Sequence, residues 1–532
     1  MKRLMSLTIL GIGLLILAAC GKDDETQGQL VPTIIPDPSP TATIAFISTV
    51  VAPTLAPNSI VPSPTSVPTE TPTTTPTPTP TETPTTTPAP TPTETPTTTP
   101  MPTLTATPIP TATAVPTPAT TSIPTATPAP TSLPEPTPTP IPTYAFVAGS
   151  DSIKLAASDS SPGKLFGTDV AINANTVIAS AHADFDRGTN AGAAVVFTRS
   201  GSTWTQQAKL IGTNTGSGDL LGKSVGISGD TVVLGASGAT PAGTDSGSAY
   251  VFVRSDGNWI QQAKLVADDA DTGDKFGHSV AINGDTIIVG APSETSYGVD
   301  SGAGYVFTRT DQIWTQQAKL TGTVLSVNSM FGWSVDIDDD TVAVGALNNE
   351  SEGTGSGIAH VFIRTGGVWT EQANLTASDT ITNHNFGRSV ALSENTLAVG
   401  APGHNSKGAN TGAAYVFLRN ENEWTEQAKL TASDGYTTNK FGWSITADGD
   451  TVVVGATGNL AKGLNSGAVY TYKRNGTSWT EEAKLTATGA AVEQKLGTSV
   501  ALDGNTLVSG TPGDFQKGTN TGAAHIFTAQ IQ

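Results

Sequence analysis

Five side chains suited to holding a ligand stand in one register: Lys223, His278, Trp333, Arg388 and Trp443, each 55 residues from the last. Thr168 precedes the series and Thr498 ends it, and every member follows a Phe-Gly or Leu-Gly pair. Two indoles, a guanidinium, an imidazole and an ammonium supply apolar faces, hydrogen-bond donors and positive charge. That combination suits a sugar or a peptide side chain; packing against neighbouring loops is the alternative. A second group, Asp269, Asp271 and Asp274, is rich in the oxygen ligands that Ca²⁺ takes. Its first member recurs as Asp159, Asp379 and Asp434, with Asn214 in the same register, which favours loop capping over metal. No cofactor is therefore expected, and calcium is the weaker alternative. His360 and His525 share the register of Tyr250, Tyr305 and Tyr415, so they read as packed ring substitutes. The chain contains no HExxH, no nucleophile elbow and no phosphate loop, so no catalytic residue is assigned.

The elements that must position these groups repeat with the same strict period. The leading residues are Phe166, Leu221, Phe276, Phe331, Phe386, Phe441 and Leu496, with no insertion or deletion between copies. Such a period marks a modular architecture in which each unit buries its apolar face against its neighbours. Within Phe276 to Pro292, two β-branched runs flank a short turn, which signals a hairpin. Asp285-Thr286 and their equivalents, Asn or Asp then Thr in every copy, are expected to form that turn. A polar loop follows, closed by a glycine in all seven copies (Gly192 to Gly522). Then come a strand carrying an aromatic (Phe197, Phe252 and equivalents) and a fourth strand marked by Trp at 204, 259, 314, 369, 424 and 479. Four antiparallel strands without a helical period predict a propeller blade, and seven copies predict an all-β, seven-bladed β-propeller.

The last copy ends before its Trp strand. Ile153-Lys154-Leu155, in register with Lys209-Leu210, is expected to supply that outer strand and seal the ring against the strand near Ala524 to Thr528. Gly149 stands where Trp belongs, leaving Phe146 or Val147 to fill the gap.

Phe276-Gly277, Gly290-Ala291-Pro292 and Ser301 to Phe307 resemble the FG-GAP repeat that builds the seven-bladed head of integrin α chains and many bacterial surface proteins. The resemblance covers residues 148–532 and implies a propeller with a binding face. Repeats of that family often carry a DxDxDG calcium loop between the first two strands. Here the connection is a tight turn, and even the Asp336, Asp338, Asp339 and Asp340 copy leaves too little backbone to wrap an ion.

The N-terminal part has a different composition. Lys2 and Arg3 precede an apolar run to Leu17, which reads as a secretion signal over residues 1–20. Leu17-Ala18-Ala19-Cys20 resembles the bacterial lipobox, which implies lipidation of Cys20, the single cysteine, and a membrane anchor; Gly21, not Asp, implies outer-membrane sorting in a two-membrane cell. Residues 21–143 hold most of the 37 prolines among threonines, a composition that builds no core and stays extended at roughly 3.1 Å per residue. The net charge of −19 argues against nucleic acid as a partner.

These readings predict a monomeric, lipid-anchored module outside the cytoplasm. The propeller, residues 144–532, would recognise a protein or glycan through the loops of one face. The alternative is an extracytoplasmic polysaccharide hydrolase or lyase with its site at the channel mouth, since propeller enzymes gather residues from several blades.

Overall fold

The computed structural model describes residues 144–515 and 517–532. The signal, lipobox and stalk readings lie outside the described residues. Within them, all regular structure is β-strand, arranged as seven four-stranded antiparallel blades. In the first blade the inner strand is Val170–Asn173, followed outward by Thr176–Ala181, Ala193–Ser200 and Thr203–Leu210.

The inner hairpin turns one residue earlier than the sequence pattern suggests. Asn173 pairs with Thr176, so the turn is Ala174-Asn175 and the Thr already opens the second strand. The left-handed residue is the first of the two, Ala174 at φ 51° or Gly284 at φ 55°, and not the Asn or Asp. The Asn or Asp side chain is thereby free to bond elsewhere, and Asp230 Oδ1 accepts from Arg254 Nε at 2.7 Å. Arg254 also donates from Nη1 to Thr176 of the preceding blade at 3.1 Å and lies 5.2 Å over the Trp259 ring. The same joint recurs in the first six blades, with Asn in place of Asp in two of them, and in the first blade Arg199 reaches back to Thr506 of the last. On the outer rim Trp259, Trp314, Trp369, Trp424 and Trp479 donate the indole N–H to the preceding blade, Trp314 to Gln262 at 2.8 Å, next to the bulge that interrupts every complete outer strand.

The apolar core is divided among the interfaces between blades. Seven clusters each join residues of two neighbours, since a blade's flat faces stay apolar only if another blade covers them. Phe276 is fully buried in one of them, edge-on to Tyr305 at 5.5 Å and Phe307 at 5.9 Å. His360 takes the place of the Tyr in the next blade, 5.0 Å from Phe331, with Nδ1 2.6 Å from Glu371. His525 is likewise buried, against Ser152 at 2.9 Å. Both are ring substitutes, as their register predicts.

Closure is complete. Ile153–Leu155 pairs with Ala523–Thr528 as the outer strand of the seventh blade, Ile153 facing Ile526 and Leu155 facing Ala524. A second small pairing, Tyr144 with Ile531, extends the seam. Phe146, not Val147, fills the space left by the missing Trp: it is buried near Leu507 and Phe527, whereas Val147 is exposed.

Candidate functional site

The ring brings the seven residues that follow the Phe-Gly pairs to one place. Thr168, Lys223, His278, Trp333, Arg388, Trp443 and Thr498 line the mouth of a central cavity of about 510 Å³. Two backbone devices hold them there. The glycine closing each long loop forms a parallel bridge with the Phe or Leu of the next blade, such as Gly247 with Phe276. The glycine after the Phe, Gly277 at φ +86°, carries the chain past the Ser248 carbonyl where a Cβ would meet oxygen at 2.2 Å. The long loops after the second and fourth strands therefore emerge together on the mouth-bearing face, joined by bonds such as Leu220 N–H to the Asn190 carbonyl at 3.0 Å. The tight turns occupy the other face.

Below the mouth, one register position locks each inner strand to the next. Ser499 accepts from Val170 N–H at 3.1 Å, Asp169 from Val225 N–H at 2.8 Å, and Ser224 from Val280 N–H at 3.1 Å. From Ser279 to Ser444 the hydroxyls donate instead to the next blade's glycine carbonyl, as Ser279 does to Gly332 at 2.8 Å. Ala171, Gly226, Ala281, Ala391 and Ala501 line the cavity, and Asp336 holds the same register in the fourth blade. Both Asp336 oxygens are engaged, by Ile337 N–H at 2.9 Å and Leu392 N–H at 2.7 Å, while burial lifts its carboxyl to about 7. The aspartates that crowd this copy thus scatter: Asp338 accepts from Glu394 N–H, Asp339 turns the chain at φ 49°, and Asp340 holds Arg364.

The mouth residues form a stack in ring order. His278 lies 4.4 Å from Trp333, Arg388 sits over Trp333 at 5.4 Å and over Trp443 at 4.3 Å, and Lys440 is 5.2 Å from Trp443. Cation–π attraction of this kind strengthens as water is excluded. Neither Lys223 nor Arg388 makes an ion pair or side-chain hydrogen bond among the described residues. Burial holds Arg388 down to about 10 and lowers Lys223, which the Arg388 charge depresses further. Burial and the same two cations keep the His278 imidazole neutral, down to about 3. The Trp333 indole N–H is buried without an acceptor. The residue before each Phe, left-handed in all copies, adds a rim that sequence spacing did not single out: Lys275, Lys440 and Lys495 are exposed there.

The acidic candidates are placed elsewhere on this face and serve separate partners. Asp269 accepts from Lys319 at 2.6 Å, Asp271 from Thr272 N–H at 2.6 Å, and Asp274 from Asp271 N–H at 2.7 Å. Burial, reinforced by the charges of Glu294, Asp271 and Asp269, raises Asp274 to about 6. The carboxylates that do converge, within 4.8 Å, are Asp159, Asp184 and Asp186. Lys209 contacts all three at 2.6–2.7 Å and Lys164 contacts them at 2.8–3.2 Å, so two ammonium groups already fill the space a cation would take. Burial would raise Asp159, but bonds from both lysines outweigh it and hold the carboxyl at about 2. Lysine ligation is what makes the recurring loop Asp useful here, and the same pairing appears as Asp379–Lys429 and Asp434–Lys484.

Among curated proteins none matches the chain. The FG-GAP repeat model matches seven times, at residues 150–197, 204–252, 259–307, 314–362, 369–417, 424–472 and 479–527. Its first match begins ahead of Ile153, so the borrowed outer strand opens a repeat just as Trp204 to Leu210 opens the second. Seven matched repeats on seven closed blades place the chain in the FG-GAP repeat family.

Proposed function

We propose that this protein is a lipid-anchored surface binding or adhesion module, tethered through Cys20 and held off the membrane by its Pro/Thr-rich stalk. The propeller recognises a protein or glycan ligand with the mouth-bearing face. One observation carries the reading: the loops that differ from copy to copy and the unpaired cations of the mouth share a face, on a scaffold locked at every blade interface. Loops such as Ser293 to Gly302, Leu347 to Gly357 and Gly403 to Gly412 vary in charge and length of side chain without disturbing the blade beneath. Repeated residues such as Gly247, Arg254 and Trp314, by contrast, join one blade to another.

Two experiments test the proposal. Metabolic labelling with a radioactive fatty acid in a bacterial host should mark the wild-type chain and not Cys20→Ser. A peptide and glycan array probed with the full chain should return ligands whose capture is lost on charge reversal in the loops, as in Glu350→Lys with Glu352→Lys. Capture that responds only to changes in the opposite turns would overturn the assignment of the face.

A further inference from the structure

The mouth presents hydrogen-bond donors without matching acceptors. Among the described residues Arg388 and Lys223 make no ion pair, in a protein whose net charge is −19, although the Asp169 charge acts on Lys223 from deeper in the cavity. Several other cations of the propeller are paired: Arg254 with Asp230, Lys319 with Glu294, Lys484 with Asp434. Leaving a partly desolvated cation unpaired is costly. The Trp333 N–H is a third donor, buried and unbonded. The two hydroxyls of the mouth, Thr168 and Thr498, donate to their own turns, at 2.7 Å to the Leu165 and Lys495 carbonyls. Of the two carboxylates deeper in the cavity, Asp169 is saturated by Ser499, Val170 N–H and Val225 N–H, and Asp336 by two backbone N–H groups. Around the rim, Lys275 and Lys440 add positive charge outside the cavity, and Lys495 does so less, being 3.9 Å from Glu493. Such a rim would draw an anion toward the opening before it meets the desolvated pair.

From this arrangement we infer that the channel mouth is a carboxylate receptor for an acidic side chain or C-terminus of a protein ligand, with Arg388 and Lys223 as the binding cations and Trp333 N–H as a third donor. The inference rests on the recognition face proposed above. A guanidinium and an ammonium facing one opening suit a planar, singly charged oxyanion. A peptide is favoured over an acidic sugar because the aromatic surface is in use: Trp333 already carries His278 and Arg388, and Trp443 carries Arg388 and Lys440. Sugars bind proteins largely by laying a ring on an open aromatic face, and the stack leaves little of one. A Glu side chain or a chain terminus needs only room to enter end-on. The flanking indoles do a different job, holding the guanidinium between them without taking up its N–H groups.

The test uses the full-length protein with fluorescently labelled hexaglutamate, hexaglutamine and a polygalacturonate fragment, followed by anisotropy at two salt concentrations. Saturable binding of hexaglutamate that weakens with salt, with Arg388→Gln and Lys223→Gln each raising the Kd tenfold or more, is the expected result. Trp333→Phe, which keeps the ring and removes the donor, should weaken binding severalfold. Thermal melts of the same variants establish that they are folded, and the wild-type salt series stands independently of them. Equal affinity for hexaglutamate and hexaglutamine, or hexaglutamate binding unchanged in both cation variants, overturns the inference; so does binding of polygalacturonate in preference to hexaglutamate, which would assign the mouth to acidic sugars. If the mouth variants prove silent while loop charge reversals still abolish array capture, the carboxylate receptor falls and the recognition face stands.

Discussion

Gly522 and Phe166, near the two ends of the propeller's chain, are joined by the same parallel bridge that joins Gly247 to Phe276 inside it. A Cβ on Gly522 would meet the Phe166 carbonyl oxygen at 2.0 Å, and one on Gly247 would meet the Phe276 oxygen at 2.0 Å, both at φ of 80° or more. Backbone on both sides leaves nothing to yield. Gly522→Ala and Gly247→Ala should each cost more than about 3 kcal/mol, measured as the shift of the urea midpoint at constant slope. A tolerated Gly522→Ala beside a damaging Gly247→Ala would mean that the ring stands open at the seam.

The seam also depends on a three-residue outer strand. Leu155 is buried at 4% exposure beside Phe166 and Val195, whereas Ile153, at the start of the strand, is 43% exposed. Leu155→Ala should therefore cost about 2–5 kcal/mol and Ile153→Ala under about 1 kcal/mol. Equal and small effects would show that the strand is not docked in solution.

At the joint between blades, Arg254 serves Asp230, Thr176 and Trp259 together. The Asp is largely exposed, so the ion pair itself contributes little. Arg254→Ala should cost roughly 1–3 kcal/mol, because it removes the bridge to the preceding blade and the ring contact as well, and Asp230→Asn under about 1 kcal/mol. Denaturant titration of both variants checks the ordering.

His525 predicts an acid limb in the stability curve. Burial, with Lys154 nearby, depresses its folded-state value to about 4, below the ordinary 6.5. The unfolded chain therefore binds more protons between pH 6.5 and 4, and stability falls as the pH falls through that window. His182 and His384, both lowered to about 4, act in the same direction; Asp274, raised to about 6, and Asp336, raised to about 7, oppose them. His525→Phe should remove on the order of 2 kcal/mol of the loss between about pH 7 and about pH 4.5. An unchanged difference in urea midpoint between those two pH values would contradict the assignment.

Much of this architecture is legible in the sequence because each repeated residue recurs in the same physical situation. Trp204 and its copies announce an outer strand, and the absent seventh Trp points to Ile153 as the donor of the closing one. What spacing cannot reveal is which repeated residues meet. The constant glycine and the constant Phe belong to successive copies and touch only because blades pack side by side. The Arg that recurs at 199, 254, 309, 364, 419 and 474 is one of a few charged positions in its strand, and nothing local says that it ties its own Asp to its neighbour's Thr. Asn and Asp tolerate the left-handed region, which is why the pattern centres the inner turn on them, yet the residue before, such as Gly284, Ala174 or Glu394, occupies that region and the turn falls one residue ahead. At the mouth, the stack of His278, Trp333, Arg388 and Trp443 arises from seven-fold geometry: residues one period apart in the chain become side-by-side neighbours around an opening.

The proposed function depends on which face of the propeller takes the ligand. The most direct measurement is capture of an array-identified ligand by the full-length wild type, by Trp333→Ala with Arg388→Ala at the mouth, and by Asp256→Lys with Asp311→Lys in the exposed turns opposite. Loss of capture in the mouth pair, with capture retained in the turn pair and both folded by thermal melt, is the predicted result. Retention at the mouth with loss at the turns would contradict it.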